Sequence, residues 1–221
     1  MSNHDDFNFE PVKGLPERLP EGEHILWQGR PSTRMLAREA LSTRTIAVYF
    51  LLVAAVRVAV STNSYSMPVS LGHAVPILIF GLLSIAILYG IAFAQARSTV
   101  YTLTNKRVAM RIGAALTLTL NLPYTWIGNA CVAVGKSGHG SIAFELIGDT
   151  RLSYVMTWPH IRPWYMARTQ PALRCIPDVA TVARIFAEAA ETRVSEPETI
   201  RIVVEPVTIE QMPGGLAVAA E

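Results

Sequence analysis

Two long apolar runs interrupt an otherwise mixed pattern of hydrophobic and polar positions. Residues 46–60 read IAVYFLLVAAVRVAV, and residues 74–94 read AVPILIFGLLSIAILYGIAFA without a single charge. A helix needs ~20 residues to cross a hydrocarbon core of about 30 Å. The second run meets that length by itself. The first meets it by extending upstream past Arg44, or by letting Arg57 reach the far interface on its aliphatic stem. The linker at 61–73, STNSYSMPVSLGH, is polar and holds neither Lys nor Arg. The pattern predicts a two-helix transmembrane hairpin within residues 36–96, with spans at about 42–61 and 74–95.

Beyond the hairpin the period changes. Residues 98–103 (STVYTL) and 107–112 (RVAMRI) are strand-like, with a turn at Thr104-Asn105-Lys106 between them. At 116–122 the sequence LTLTLNL alternates strictly, as a half-buried strand does. Further short strands are predicted at 131–134, 142–147 and 152–156, set apart by the glycine-rich stretch 135–140 and by Gly148-Asp149. Strands at this spacing indicate six or seven antiparallel strands in a sheet that curls or packs on itself. Residues 112–135 carry no charge and admit a rival reading as a third span. Their alternation, and the cost of Asn121, Pro123 and Asn129 in a lipid-facing helix, favour strands. Pro177 fits a first helical turn and Asp178 suits the positive end of the dipole. Val179, Val182, Phe186 and Ala189 then form one face, opposite Thr181, Arg184, Glu188 and Glu191. That is an amphipathic helix lying on a sheet. Residues 97–193 thus read as an antiparallel β domain closed by a helix. Residues 194–221, with Pro197, Pro206 and Pro213, read as a tail in which 200–204 can pair as a strand.

Composition agrees with a membrane α+β protein. Charged residues are 16% of the chain and mean hydropathy is +0.31, whereas soluble domains are roughly one-quarter charged. A net charge of +2 gives no general attraction to nucleic acid. The placement of the basic residues says more. Arg30, Arg34, Arg38 and Arg44 precede the first run, and Arg97, Lys106, Arg107 and Arg111 follow the second. By the positive-inside rule both termini face the cytoplasm of a bacterial inner membrane. The first twenty residues hold Asp5, Asp6, Glu10, Pro11, Pro16 and Pro20 and no apolar core, so they are not expected to be a signal peptide, and 1–35 reads as a cytoplasmic N-terminal segment. Cys131 and Cys175 show no paired spacing and no nearby His cluster. They are read as small buried apolar residues, not as a disulfide or zinc site.

No catalytic constellation stands out: there is no nucleophile elbow, Walker loop or zinc-protease helix. An enzyme is not expected, nor a cofactor. The stretch GKSGHG at 135–140 has the wrong spacing for a phosphate loop and reads as a hairpin turn. His4, His24, His73, His139 and His160 lie at no helical ligand spacing, which argues against a metal. Arg57 is the informative charge, because a guanidinium at a span's centre costs roughly 2.5–3.5 kcal/mol. It either snorkels to headgroups or contacts a partner in the membrane. The segment TWPHIRPW at 157–164 is the best candidate surface. Its two prolines forbid a regular helix and disfavour a central strand. Trp158, His160, Arg162 and Trp164 therefore sit on an irregular segment expected between the last strand and the closing helix. Trp and Arg are enriched in binding hot spots, and Trp also anchors at membrane interfaces. Capping of the sheet core by the tryptophans is the competing reading. Arg34, Arg38, Arg44, Arg97, Lys106 and Arg107 are placed to meet anionic lipids, although topology alone would also explain them.

Strands closed by one C-terminal amphipathic helix resemble a pleckstrin-homology (PH)-like domain. The segment GEHILWQGRP at 22–31 is similar to the opening motif of bacterial PH-like membrane proteins, and YTLTNKRVAMRIG at 101–113 to their first strand pair. In that family a membrane hairpin commonly lies between the two, as here. Over nearly the whole chain the sequence resembles the PuhB-type photosynthetic-complex assembly proteins of purple bacteria. That likeness rests on HDDFNFEPVKGLPE at 4–17, TWPHIRPW at 157–164 and QPALRCIPD at 170–178. It implies a non-enzymatic assembly factor for the reaction centre and light-harvesting 1 complex, acting in the intracytoplasmic membrane. The implied partners are subunits of those complexes, membrane lipids and a second copy of the chain in a homodimer. Ligation of bacteriochlorophyll by His73, at the edge of the second run, is disfavoured against an ordinary interfacial role. The alternative is a membrane-anchored PH-like protein that binds lipid or peptide in general envelope function.

Overall fold

In the computed structural model, which describes residues 11–114, 117–135, 137–148 and 152–195, two strands far apart in sequence lie side by side. β1 (Ile25–Gly29) pairs antiparallel with β2 (Val100–Thr104), Gly29 opposite Tyr101. Between them come α1 (Thr33–Glu39), α2 (Thr43–Ser61), α3 (Met67–Gly72) and α4 (Val75–Ser98). These helices are therefore an excursion that leaves and rejoins one sheet at neighbouring points. Residues 4–10, Leu116, Lys136, Asp149 and the predicted tail strand at 200–204 lie outside the described residues.

α2 and α4 are apolar on all sides and are long and apolar enough to cross a membrane. Only 11% of either apolar window is buried. Leu51, Leu52, Val56, Phe80, Leu82 and Ile87 are each more than half exposed. The core helix of a soluble protein buries such side chains, whereas the described fold leaves these uncovered. The helices meet closely where a side chain is missing: Gly81 faces Phe50, and a Cβ at position 81 would stand 2.8 Å from the Phe50 Cβ. The linker is not simply a loop. Pro68 stands at the start of α3, a position where its missing N–H costs nothing. His73 Nδ1 lies 3.0 Å from the Ser61 hydroxyl and its ring meets Tyr65 edge-on.

The remaining strands form two sheets. β1-β2-β3-β4 is completed by β3 (Arg107–Ile112) and β4 (Leu118–Pro123), and a second sheet has the order β5-β6-β7 from Ile127–Val134, Gly140–Leu146 and Ala172–Ile176. Among the described residues no ladder joins the two sheets into a closed barrel. α6 (Val179–Ser195) lies on both and buries Val179, Val182, Phe186 and Ala189. Their partners in the core include Tyr101, Leu103, Met110, Phe144 and Leu173. Each Val, Leu, Met or Phe side chain among them removed from water contributes about 1.5–3 kcal/mol. Residues 112–135 contain β4, a 3-10 turn at Tyr124–Trp126 and β5, so they form no third span.

Two local expectations are corrected. Residues 152–156 are not a strand; the one-turn helix α5 (Tyr154–Thr157) stands there, closed by the Thr157 N–H and hydroxyl donating to the Ser153 carbonyl. The edge of β6 that a strand there would have taken is occupied by β7. The segment at 157–164 consequently precedes the last strand. Pro177 lies outside α6, which begins at Val179 after Asp178 takes a positive φ of 47°.

Candidate functional site

The opening motif and the first strand pair, so distant in sequence, are tied together directly. Glu23 accepts Arg107 Nε at 2.9 Å and the Thr104 hydroxyl at 2.8 Å, while Asn105 bonds both the His24 N–H and the Gly22 carbonyl. These residues are spent on closing the domain beneath the helical excursion, and Lys106 Nζ donates to the Glu21 carbonyl.

The irregular segment expected to carry the surface is a loop with a fixed base and an exposed tip. Ile161 bridges Pro171, the Arg162 N–H donates to the Gln170 carbonyl at 2.9 Å, and the Ala172 N–H donates to the His160 carbonyl. Arg162 reinforces that base by donating to Gln170 Oε1 at 3.1 Å and stacks 4.2 Å from the Tyr165 ring. Beyond the base the chain turns at Trp164, whose φ of 69° lies in the left-handed region that bulky residues avoid. Trp164 is 87% exposed, and Met166, Met156 and Val155 are 63%, 65% and 82% exposed. Trp158 and Tyr165 are partly exposed beside them. Isolated exposed apolar residues are ordinary, whereas neighbouring ones are less so, and Trp158, Trp164 and Met166 line one cleft. A pocket of about 300 Å³ places Trp158, Trp164 and Met166 next to Ala40 and Ser42, at the entry to α2.

His160 is not part of that surface: it is fully buried. The Arg174 N–H donates to the Tyr101 hydroxyl at 3.3 Å, so the Tyr101 proton points to His160 Nδ1 at 2.6 Å. Thr99 donates its proton to the Gln95 carbonyl at 2.7 Å, which leaves its oxygen to accept from His160 Nε2 at 3.1 Å. The network thereby assigns a neutral imidazole protonated on Nε2. Burial, assisted by the nearby Arg174 charge, lowers the pKa of His160 to about 3. Burial likewise raises the Tyr101 phenol far above its usual range, and raises the Cys175 thiol to about 12 with help from Glu39. This chain of bonds links the C-terminal end of α4 to β2, β7 and the base of the exposed loop.

Arg57 is exposed and stands four residues before the end of α2, about 21 Å along the helix from Thr43. The structure thus separates it from Trp158, Arg162 and Trp164. Sequence reasoning missed Val155, Met156, Tyr165 and Met166. The first two were hidden by the strand expected at 152–156, and Tyr165 and Met166 directly follow the segment singled out. Cys175 is buried and Cys131 is half-buried, within 3.4 Å of Arg162 Nη1. Among the described residues no group of three His, Cys, Asp or Glu is placed to hold a metal.

Comparison with known proteins bears on this architecture. Residues 46–190 match the bacterial PH domain family. The chain is 46% identical over 205 residues to an uncharacterized 23.7 kDa protein of Rhodobacter capsulatus encoded in the 5′ region of puhA, covering 90% of this chain and 94% of that protein. Among solved structures, a DUF1696 family protein with a pleckstrin-homology domain from Shewanella loihica PV-4 aligns at 13% identity with a TM-score of 0.29. That alignment spans 42% of this chain and 71% of the other.

Proposed function

The chain belongs to the bacterial PH domain family, and from that premise we propose that it is a non-enzymatic assembly factor for the photosynthetic reaction centre and light-harvesting 1 complex. In this reading α2 and α4 cross the bacterial inner membrane, both termini face the cytoplasm, and the β domain presents the loop at 157–170 to an incoming subunit. The protein works by holding a partner in place. The observation that carries the reading is the exposed group of Trp158, Trp164 and Met166, fixed on a hydrogen-bonded base beside the entry to α2. A subunit docked there is held beside the start of the hairpin. The photosynthetic context is supported by the relative encoded beside puhA and by the resemblance of residues 157–164 and 170–178 to PuhB-type proteins. Self-association of the chain accompanies this role.

Co-purification tests it. Tagged full-length protein taken from membranes during photosynthetic induction should enrich reaction-centre or light-harvesting 1 subunits. Replacing Trp158 and Trp164 by Ala should abolish that enrichment while leaving a folded, membrane-extracted protein. Recovery of lipid and the chain itself alone would move the function to lipid binding in general envelope maintenance.

A further inference from the structure

A second site faces the other side of α1. A cleft of about 620 Å³ is lined by Arg34 and Arg38 of α1, Arg44 in the first turn of α2, and Ser137 and His139 of the β5–β6 turn. The three guanidinium groups are exposed, and among the described residues none pairs with a carboxylate. Glu39 is the acidic residue in the lining, and it accepts the Cys175 thiol at 3.6 Å. Arg107, by contrast, is paired with Glu23 at 2.9 Å, and Arg184 stands 4.0 Å from Glu188 on the exposed face of α6. Arg34 and Arg38 stand four apart on one short helix, an arrangement in which like charges repel. A bound anion would offset that repulsion. Guanidinium forks match the oxygens of a phosphate group, and several converging on one group are stronger than a lone ammonium.

The position of the cleft narrows the source of the phosphate. Arg44 begins the helix whose apolar run follows at once, so a membrane-inserted hairpin sets the cleft at headgroup level. α1 is in turn fixed to the β domain: Leu36 packs on Cys175, and the Ser32 N–H donates to the Cys175 carbonyl at 2.9 Å. We propose that this cleft binds a phosphate-bearing anion, supplied by the headgroup of an anionic phospholipid, and so clamps the β domain against the membrane surface. The proposal rests on the membrane placement given above.

The test uses the full chain in mild detergent, with native mass spectrometry after addition of phosphatidylglycerol or phosphatidylcholine. One phosphatidylglycerol should stay bound per chain under conditions that strip phosphatidylcholine. The combined change Arg34→Gln, Arg38→Gln and Arg44→Gln should lower retention at least about tenfold, and Arg168→Gln, an exposed arginine outside the cleft, should not. Equal retention of the two lipids by the wild-type chain overturns the site, and that comparison decides the matter even where the triple variant fails to fold. A folded triple variant that retains phosphatidylglycerol like the wild type overturns it as well. Excess inorganic phosphate should leave the lipid bound; displacement by it would assign the cleft to a soluble phosphate and overturn the headgroup source. Release of the chain from membranes by alkaline wash without detergent would sink the membrane placement, a separate failure.

Discussion

Protonating His160 would put a second ring N–H where the Tyr101 hydroxyl now points, so folding and acid compete at that imidazole. The unfolded chain takes a proton near pH 6.5, and the folded chain only near 3. Because the folded pKa is the lower one, the stabilisation is complete above pH 6.5 and is lost as pH falls from there towards 3. Each pH unit in that window is worth at most 1.36 kcal/mol. Lowering the pH of the detergent-solubilised protein from about 7 to about 5 should therefore cost about 2 kcal/mol in denaturant melts. His160→Gln, which keeps one donor and one acceptor, should flatten that slope; an unchanged slope would place the titrating group elsewhere. In the sequence nothing separated His160 from Trp164. Both lie in a segment broken by two prolines, with no period to assign alternate residues to opposite sides. The hydrogen-bond partners that bury one of them, Thr99 and Tyr101, are some sixty residues away.

Elements were legible where a period ran long enough. The alternation around Leu118, Leu120 and Leu122 reads as a strand, and β4 pairs with β3 along its whole length. The face of α6 carrying Val179, Val182, Phe186 and Ala189 is likewise visible from spacing. Short elements were not legible. β7 has five residues with Arg174 at its middle, and its position comes from pairing with β6, a contact no local pattern encodes. Residues 152–156 hold the right residue types for a strand, yet both sides of β6 are taken, by β5 and β7. The proposed orientation of α2 and α4 rests on the flanking arginines, and it makes its own prediction. A reporter active only in the periplasm should be active when fused at Asn63, in the linker, and silent when fused at Gly138 or after Ser195. Activity at Gly138 would reverse the orientation or move the β domain across the membrane.

At the scale of the whole molecule, the helical excursion is an insertion between two adjacent strands. Arg30 and Val100 continue the register in which Gly29 opposes Tyr101, so the ends of the insertion lie one ladder step apart. The principal core, from Tyr101 through Phe144 to Phe186, draws nothing from α1, α2 or α4. The insertion is coupled to the domain at its margin: Leu36 and Ala96 pack on Cys175, the Ser32 N–H donates to the Cys175 carbonyl, the Cys175 thiol to Glu39, Arg111 to the Ser98 carbonyl, and the Thr99 hydroxyl meets His160. Replacing residues 31–99 by Asn-Gly, a pair suited to a two-residue hairpin turn, should therefore leave a β domain that is soluble without detergent and unfolds cooperatively. It should lose the lipid retention assigned to the arginine cleft, since Arg34, Arg38 and Arg44 go with the insertion, and keep the exposed loop with Trp158 and Trp164. If this short chain still captures the photosynthetic subunits, docking belongs to the loop and the hairpin serves for location. If it folds and captures nothing, the partner reads the hairpin as well as the loop, and Arg57, far out along α2, becomes the next residue to change.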